Sequence, residues 1–137
     1  MRWNLLLVSL ALSVGCGGRH ASFTGMPGSD AALGTGKILI DWTLGGDPPS
    51  KAACAAIDHL DLNLASGWGE ITISPVPCTL TRFRYDGLPD GPGTLTMNAY
   101  DPRGCAIARG SVDLTVGDTL PGAPAPTVAI GAVQPCN

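Results

Sequence analysis

The sequence is poor in charge and in the residue types that build reactive sites. Of its 137 residues, 14% are charged and only two are histidines, and Glu70 is the single glutamate. The eight basic residues are spread singly, so no patch is available to a phosphate backbone and nucleic-acid binding is not expected. Two histidines and one glutamate cannot supply a multi-histidine metal centre or an EF-hand. We therefore predict no metal ion and no cofactor.

Signals for catalysis are equally scarce. No Gly-x-Ser-x-Gly elbow occurs, and His59 is predicted on the solvated face of a strand, so a nucleophile has no evident base. Asp61 shares the face of His59, whereas Asp58 is expected on the opposite face, and two aligned ligands do not make a metal site. The prediction is therefore no catalytic residue and no enzyme. The alternative is a small secreted hydrolase, because ten aspartates are enough to supply a carboxylate pair for glycoside hydrolysis. Nothing in the sequence singles out two of them.

No apolar run is long enough to cross a membrane. After a basic start at Arg2, the run from Leu5 to Leu12 is broken only by Ser9. Eight residues span about 12 Å as a helix, against a bilayer core of about 30 Å. A charged start, a short apolar core and small residues at its end are typical of a secretory signal, which we assign to residues 1–15.

A cysteine follows this leader directly. Ser13-Val14-Gly15-Cys16 resembles the lipobox of bacterial lipoproteins, which implies that Cys16 becomes the mature N-terminus and carries acyl chains such as palmitate. Gly17 after the cysteine implies, by the same resemblance, export to the outer membrane of the cell envelope. The other interpretation is an ordinary cleaved signal with a cysteine nearby. Five cysteines cannot all pair in a secreted chain, and acylation of Cys16 leaves an even set of four, which favours the lipoprotein.

Residues 17–36 show no period of 2 or 3.6 and are rich in Gly, Ser and Ala. With Cys16 they are predicted to form a lipidated, flexible linker over residues 16–36, with a reach of about 25 Å. This linker is expected to place the Lys37 end of the following domain nearest the membrane.

From residue 37 onward, apolar and polar residues alternate in short runs separated by turns rich in Gly and Pro. The runs predict strands at 37–44, 57–64, 70–73, 79–85, 94–100, 105–109, 111–116 and 126–130. The pair 94–100 and 105–109 is the clearest hairpin, because Asp101-Pro102-Arg103-Gly104 has the composition of a tight turn. In 79–85, Leu80 and Phe83 lie on opposite parities, which predicts a bulge or bend between them. Residues 117–126 are expected to carry the chain between sheets.

The segment FRYDGLPDGPGTLTMNAYDPRG, residues 83–104, resembles a stretch common in bacterial surface sandwiches. These are the transthyretin-like, carboxypeptidase-regulatory-like and other immunoglobulin-like modules. Together with the strand spacing, the resemblance predicts an all-β domain over residues 37–137: a two-sheet antiparallel β-sandwich of about seven short strands with a disulfide-tethered C-terminal tail.

The remaining cysteines are expected to form two disulfides, each contributing about 3–4 kcal/mol through the unfolded state. Four cysteines can be joined in three different patterns of two disulfides. The pattern Cys54–Cys78 with Cys105–Cys136 is favoured, because both disulfides then close loops local to their strands.

Three side chains are predicted to contribute to a binding surface. Trp68 is a large aromatic in the turn SGWG, and Arg82 and Arg84 share one face of their strand. The competing interpretations are that Trp68 folds over the end of the sandwich and that the arginines only keep an edge soluble.

These observations predict an envelope-anchored lipoprotein that acts as a binding, adhesion or accessory module without catalysis. Its partners would be the membrane, through the lipid anchor, and a protein or a carbohydrate. A structural spacer in an envelope complex is a further alternative to the hydrolase.

Overall fold

The computed structural model describes residues 20–24, 34–117 and 124–136, in which all regular structure is β. The predicted leader, residues 1–15, and Cys16 lie outside the described residues. The strands are β1 His20–Thr24, β2 Gly36–Leu44, β3 His59–Ser66, β4 Gly69–Val76, β5 Phe83–Leu88, β6 Gly91–Tyr100, β7 Ala106–Val116 and β8 Thr127–Ile130.

Two sheets face each other. One is five-stranded in the order β1-β4-β3-β6-β7, and the other is three-stranded in the order β5-β2-β8. Each strand places alternate residues between the sheets, as the sequence pattern predicts, with Trp42, Leu62 and Met97 among the buried side chains. The predicted two-sheet sandwich is therefore confirmed. All neighbouring strands are antiparallel except β2 and β8, which pair in parallel.

Both predicted disulfides are present: Cys54 is joined to Cys78 and Cys105 to Cys136. Both lie at the end of the sandwich where β4 ends and β7 begins, and we call it the disulfide end. The opposite end, which carries the β3–β4 turn with Trp68, is the Trp68 end. Trp42 ties the core to the disulfide end, because its indole Nε1 donates a hydrogen bond to the Cys78 carbonyl oxygen over 3.3 Å.

The predicted 94–100/105–109 hairpin is confirmed, but its second strand is longer than expected. β7 continues to Val116 without a break at Gly110. At Gly110, the backbone of β7 instead comes into close contact with the backbone of β8. A Cβ at this position would lie 2.7 Å from the carbonyl carbon of Ala129 and 2.9 Å from the Cα of Ile130. The chain changes sheets between β7 and β8, as predicted for residues 117–126.

The strand predicted over residues 79–85 starts later than expected, so its predicted first residue was wrong. β5 begins only at Phe83, and the Leu80 N–H donates to the Pro77 carbonyl oxygen over 3.3 Å in a turn after Cys78. Leu80 packs against the core from this turn, and the chain bends at Thr81, between Leu80 and Phe83, as one of the two predicted alternatives had it.

One strand falls within the segment predicted as linker. His20–Thr24 form β1, which pairs antiparallel with β4 from His20 opposite Ser74 to Thr24 opposite Glu70. Pairing at a sheet edge satisfies backbone N–H and C=O groups and needs no apolar alternation, which is why the sequence pattern gave no sign of it.

Candidate functional site

The outward side chains of the five-stranded sheet form a polar surface, which we call the polar face. In β3, β4, β6 and β7, the inward positions are apolar and the outward positions carry mainly hydroxyl, amide and carboxylate groups. The polar face consists of His59, Asp61, Asn63, Ala65, Glu70, Thr72, Ser74, Thr94, Thr96, Asn98, Tyr100, Arg109, Ser111 and Asp113.

Hydrogen bonds across the strands fix several of these groups. The Asn63 amide Nδ2 donates to the Thr72 hydroxyl over 3.1 Å and also to the Glu70 carboxylate. The Ser74 hydroxyl donates to the Asp61 carboxylate. Such cross-strand pairs hold their side chains in one orientation. Carboxylate oxygens accept several hydrogen bonds each, so these groups keep acceptor capacity toward a ligand.

An open groove of about 520 Å³ lies at the Trp68 end of the polar face. Its walls come from β3, β6 and β7, where small side chains leave a depression: Ala65, Ser66, Pro92, Gly93, Thr94, Asp113, Leu114 and Thr115. The Thr94 hydroxyl donates to the Asp113 carboxylate over 2.7 Å, and the Ser66 hydroxyl donates to the Pro92 carbonyl oxygen over 2.8 Å. The groove is therefore lined by fixed oxygen atoms, with one carboxylate among them.

At the disulfide end of the polar face, His59 contacts both neighbouring aspartates. Its Nδ1 lies 2.8 Å from Asp58 and its Nε2 lies 3.5 Å from Asp61, while its ring stacks on Tyr100 at 5.3 Å. The expectation that Asp58 points away from His59 was wrong, because β3 starts at His59 and Asp58 precedes it in a bend. Within the ranges that the structure describes, no three His, Cys, Asp or Glu side chains are grouped to hold a metal ion.

The predicted binding residues do not come together. Trp68 lies in the β3–β4 turn at the Trp68 end, whereas Arg82 precedes β5 at the disulfide end and belongs with the other sheet. Trp68 is partly buried and packs against the core, with its Nε1 atom enclosed and without a hydrogen-bond partner among the described residues. It folds over the end of the sandwich, as the competing interpretation had it.

The two arginines form ion pairs on the outer side of the three-stranded sheet. Arg82 makes a two-pronged contact with Asp41 over 2.8 and 2.9 Å, and Arg84 contacts Asp86 over 3.0 Å. The hydrogen bond from Arg82 holds the pKa of the Asp41 carboxyl below its ordinary value, and Asp41 in turn raises the pKa of Arg82. Their exposed positions make these pairs weak contributors to stability.

Asp101 is a buried polar residue that organises the β6–β7 turn. Its carboxylate accepts hydrogen bonds from the backbone N–H groups of Cys105 and Arg103, each over 2.9 Å, and contacts the Arg103 guanidinium. The bond from the Cys105 N–H is the main cause of a lowered pKa of Asp101, assisted by Arg103. Gly104 completes the turn with a φ of +79°, as its sequence position predicts.

Sequence reasoning missed the groove, although a signal for it existed. Thr94 and Asp113 occupy outward positions of strands whose inward face was assigned correctly, so an outward polar row could have been read from the same alternation. Their meeting required the register of β6 with β7, which places Thr94 opposite Asp113.

None of the described residues lies in a helix that could span a membrane. No family model, no curated protein and no solved structure matches this chain.

Proposed function

We propose that this chain is an envelope-anchored lipoprotein, acylated at Cys16, which binds a neutral carbohydrate on its polar face and carries out no chemistry of its own. The observation that carries the proposal is the polar face with its groove: fixed hydroxyl, amide and carboxylate groups on a rigid sheet. The two disulfides fit the oxidising compartment that an exported protein reaches.

The chemistry of the polar face favours a ligand rich in hydroxyl groups. The groove is lined by Ser66, Thr94, Asp113 and Thr115, which offer hydrogen-bond acceptors to ligand hydroxyls beside the apolar side chains of Pro92 and Leu114. Protein interfaces of typical stability have an apolar or aromatic centre, and the polar face carries its one large aromatic, Tyr100, already stacked on His59. We therefore favour a carbohydrate over a protein partner.

Two of the ten aspartates, Asp41 and Asp101, do not fit the acid of a glycoside hydrolase. Both have lowered pKa values because of the hydrogen bonds they accept. A glycoside hydrolase needs one carboxyl whose pKa is raised so that it can donate a proton. These two carboxylates are instead held as structural acceptors.

Binding is tested with the purified full-length lipoprotein on a panel of immobilised neutral glycans. The double variant Thr94→Val/Asp113→Asn removes the Thr94 hydroxyl and the negative charge of Asp113 with little change in volume, and we expect it to weaken glycan capture. The matched control is Asp86→Asn on the other sheet, exposed and also in a polar pair. Equal capture by both variants would contradict the proposed surface, and capture only by immobilised envelope proteins would show a protein partner.

Anchoring is tested separately. Cys16→Ser is expected to move the protein from the membrane fraction to the soluble fraction, because stable membrane association would require the acyl chains. An unchanged membrane fraction, or a mature protein that keeps its leader, would refute acylation at Cys16.

A further inference from the structure

We infer that the disulfide end of the sandwich is a membrane-contacting surface that lies against the lipid headgroups of the bilayer holding the anchor. The inference rests on the proposed acylation of Cys16. It follows from the position of β1, from the length of chain between Cys16 and that strand, and from the side chains at the disulfide end.

β1 brings the anchor to one particular end. Its first residue, His20, pairs with Ser74, close to where β4 ends and the chain continues to Cys78. Its last residue, Thr24, pairs with Glu70 beside the β3–β4 turn. The chain therefore enters the five-stranded sheet at the disulfide end and runs toward the Trp68 end.

The covalent reach from the anchor is short. Three residues lie between Cys16 and His20, and four steps of at most about 3.6 Å each give a reach of about 14 Å. The eight residues of β3 alone extend over roughly 27 Å at about 3.4 Å per residue. A bilayer that holds Cys16 must therefore lie within about half a sandwich length of the disulfide end.

The disulfide end carries side chains suited to a lipid interface. An open groove of about 300 Å³ lies beside the β6–β7 turn, and Ile107, Val133 and Pro135 form much of its lining. Among the large hydrophobic side chains of the described ranges, Val133 is the exposed one, with an exposed fraction of 37%. Charge does not distinguish this end, because Arg103 is paired with Asp101 in the groove lining and the exposed Lys51 is accompanied by the exposed Asp47 and Asp58.

The Trp68 end differs in chemistry. Its groove is lined by hydroxyl groups and the Asp113 carboxylate, and it offers less apolar surface than the groove at the disulfide end. The end with the apolar groove is thus also the end to which β1 delivers the anchor. In this orientation, the polar groove faces away from the bilayer and is accessible to a glycan.

The orientation is tested on full-length protein, processed by its expression host, in vesicles of phosphatidylethanolamine and phosphatidylglycerol that contain a lipid with a nitroxide on its headgroup. A fluorophore is attached through Pro48→Cys, in the exposed loop that follows β2 at the disulfide end, or through Gly67→Cys at the Trp68 end. A Cβ at Gly67 meets nothing within 4 Å. We expect quenching to be several times stronger at position 48 than at position 67.

A lengthened anchor provides the control. Insertion of ten Gly and Ser residues after Gly18 leaves β1 intact, and we expect weaker quenching at position 48 with an unchanged membrane fraction. Ser22→Pro/Phe23→Pro, which removes two successive backbone N–H groups of β1 and therefore one that faces β4, should also abolish the difference between the two positions.

Equal quenching at both positions of the parent protein, or stronger quenching at position 67, would overturn the inferred orientation while leaving acylation intact. A parent protein absent from the vesicles would instead overturn acylation at Cys16 and the inference with it. The glycan assay is independent of both outcomes.

Discussion

The two disulfides should differ in their effect on stability, in the order opposite to the lengths of the loops they close. The sequence separations are 24 for Cys54–Cys78 and 31 for Cys105–Cys136. Loop-closure entropy alone assigns about 3.5 kcal/mol to the first and about 3.7 kcal/mol to the second. Entropy of the unfolded chain would therefore make Cys105–Cys136 slightly the stronger of the two.

The native surroundings reverse this order. Cys54 and Cys78 are buried, and the loop that contains Cys54 is fixed against the core. Residues 131–136 are largely exposed and attach to β7 by two backbone hydrogen bonds, from Gly131 to Arg109 and from Gln134 to Ile107. Without its disulfide, this tail gains freedom in the native state as well, which offsets much of the entropy gained by the unfolded chain.

We therefore expect Cys54→Ala/Cys78→Ala to lower the free energy of unfolding by about 3–5 kcal/mol, and Cys105→Ala/Cys136→Ala by no more than about 2 kcal/mol. In a domain of this size, the first loss corresponds to a fall in Tm of roughly 15–30 °C. Urea titration of both variants measures the difference, and amide hydrogen exchange of residues 131–136 reports whether the tail has detached. An equal or larger loss for the Cys105–Cys136 variant would refute the account of a weakly held tail.

Three further changes have defined outcomes. Trp68→Ala should lower the free energy of unfolding by about 2 kcal/mol, roughly half the cost of truncating a core Trp, because the side chain is partly buried; an unchanged urea midpoint would restore the exposed-anchor prediction. Gly110→Ala should cost about 2–3 kcal/mol through contact with the Ala129 backbone, whereas Gly67→Ala, with open space around it, should be near neutral in the same thermal melts. The pKa of Asp101 is lowered in the folded state, so the ionised carboxylate stabilises the fold above the ordinary pKa of 3.8, and this stabilisation is lost as the pH falls through the folded-state pKa. The difference in stability between the parent and Asp101→Asn should therefore disappear in acid. A difference that stays constant in thermal melts from pH 7 to pH 2 would contradict this.

Local alternation was sufficient to predict most strands and their buried faces. In β2, for example, Ile38, Ile40, Trp42 and Leu44 are all buried, because strand side chains alternate with a period of two whatever the tertiary context. The start of β5 was not predictable in this way. Leu80 reaches the core from a turn, and a parity count assumes that every buried residue belongs to a strand.

The alternation of apolar and polar residues could not predict which distant segments pair with each other. The parallel alignment of β2 with β8 and the antiparallel alignment of β1 with β4 depend on which edges remain open once the other strands have assembled. The same limitation explains the mistaken grouping of Trp68 with Arg82. Trp68 was placed correctly in a turn, and Arg82 was assigned to a strand that begins one residue after it, but the sequence did not show that the two lie at opposite ends of the sandwich.

The position of β1 changes what the segment after Cys16 does to the whole module. If that segment were an unstructured linker as far as Gly36, the anchor would join the sandwich through β2, whose first residue lies at the Trp68 end. That route would bring the polar groove toward the bilayer. With His20–Thr24 paired to β4, the proposed anchor would join at the disulfide end, three residues before β1, and the groove lies at the far end of the sandwich. Five residues of backbone pairing thus decide which end of the sandwich an acylated Cys16 would present to the membrane, and only the second arrangement places the groove at the end away from it.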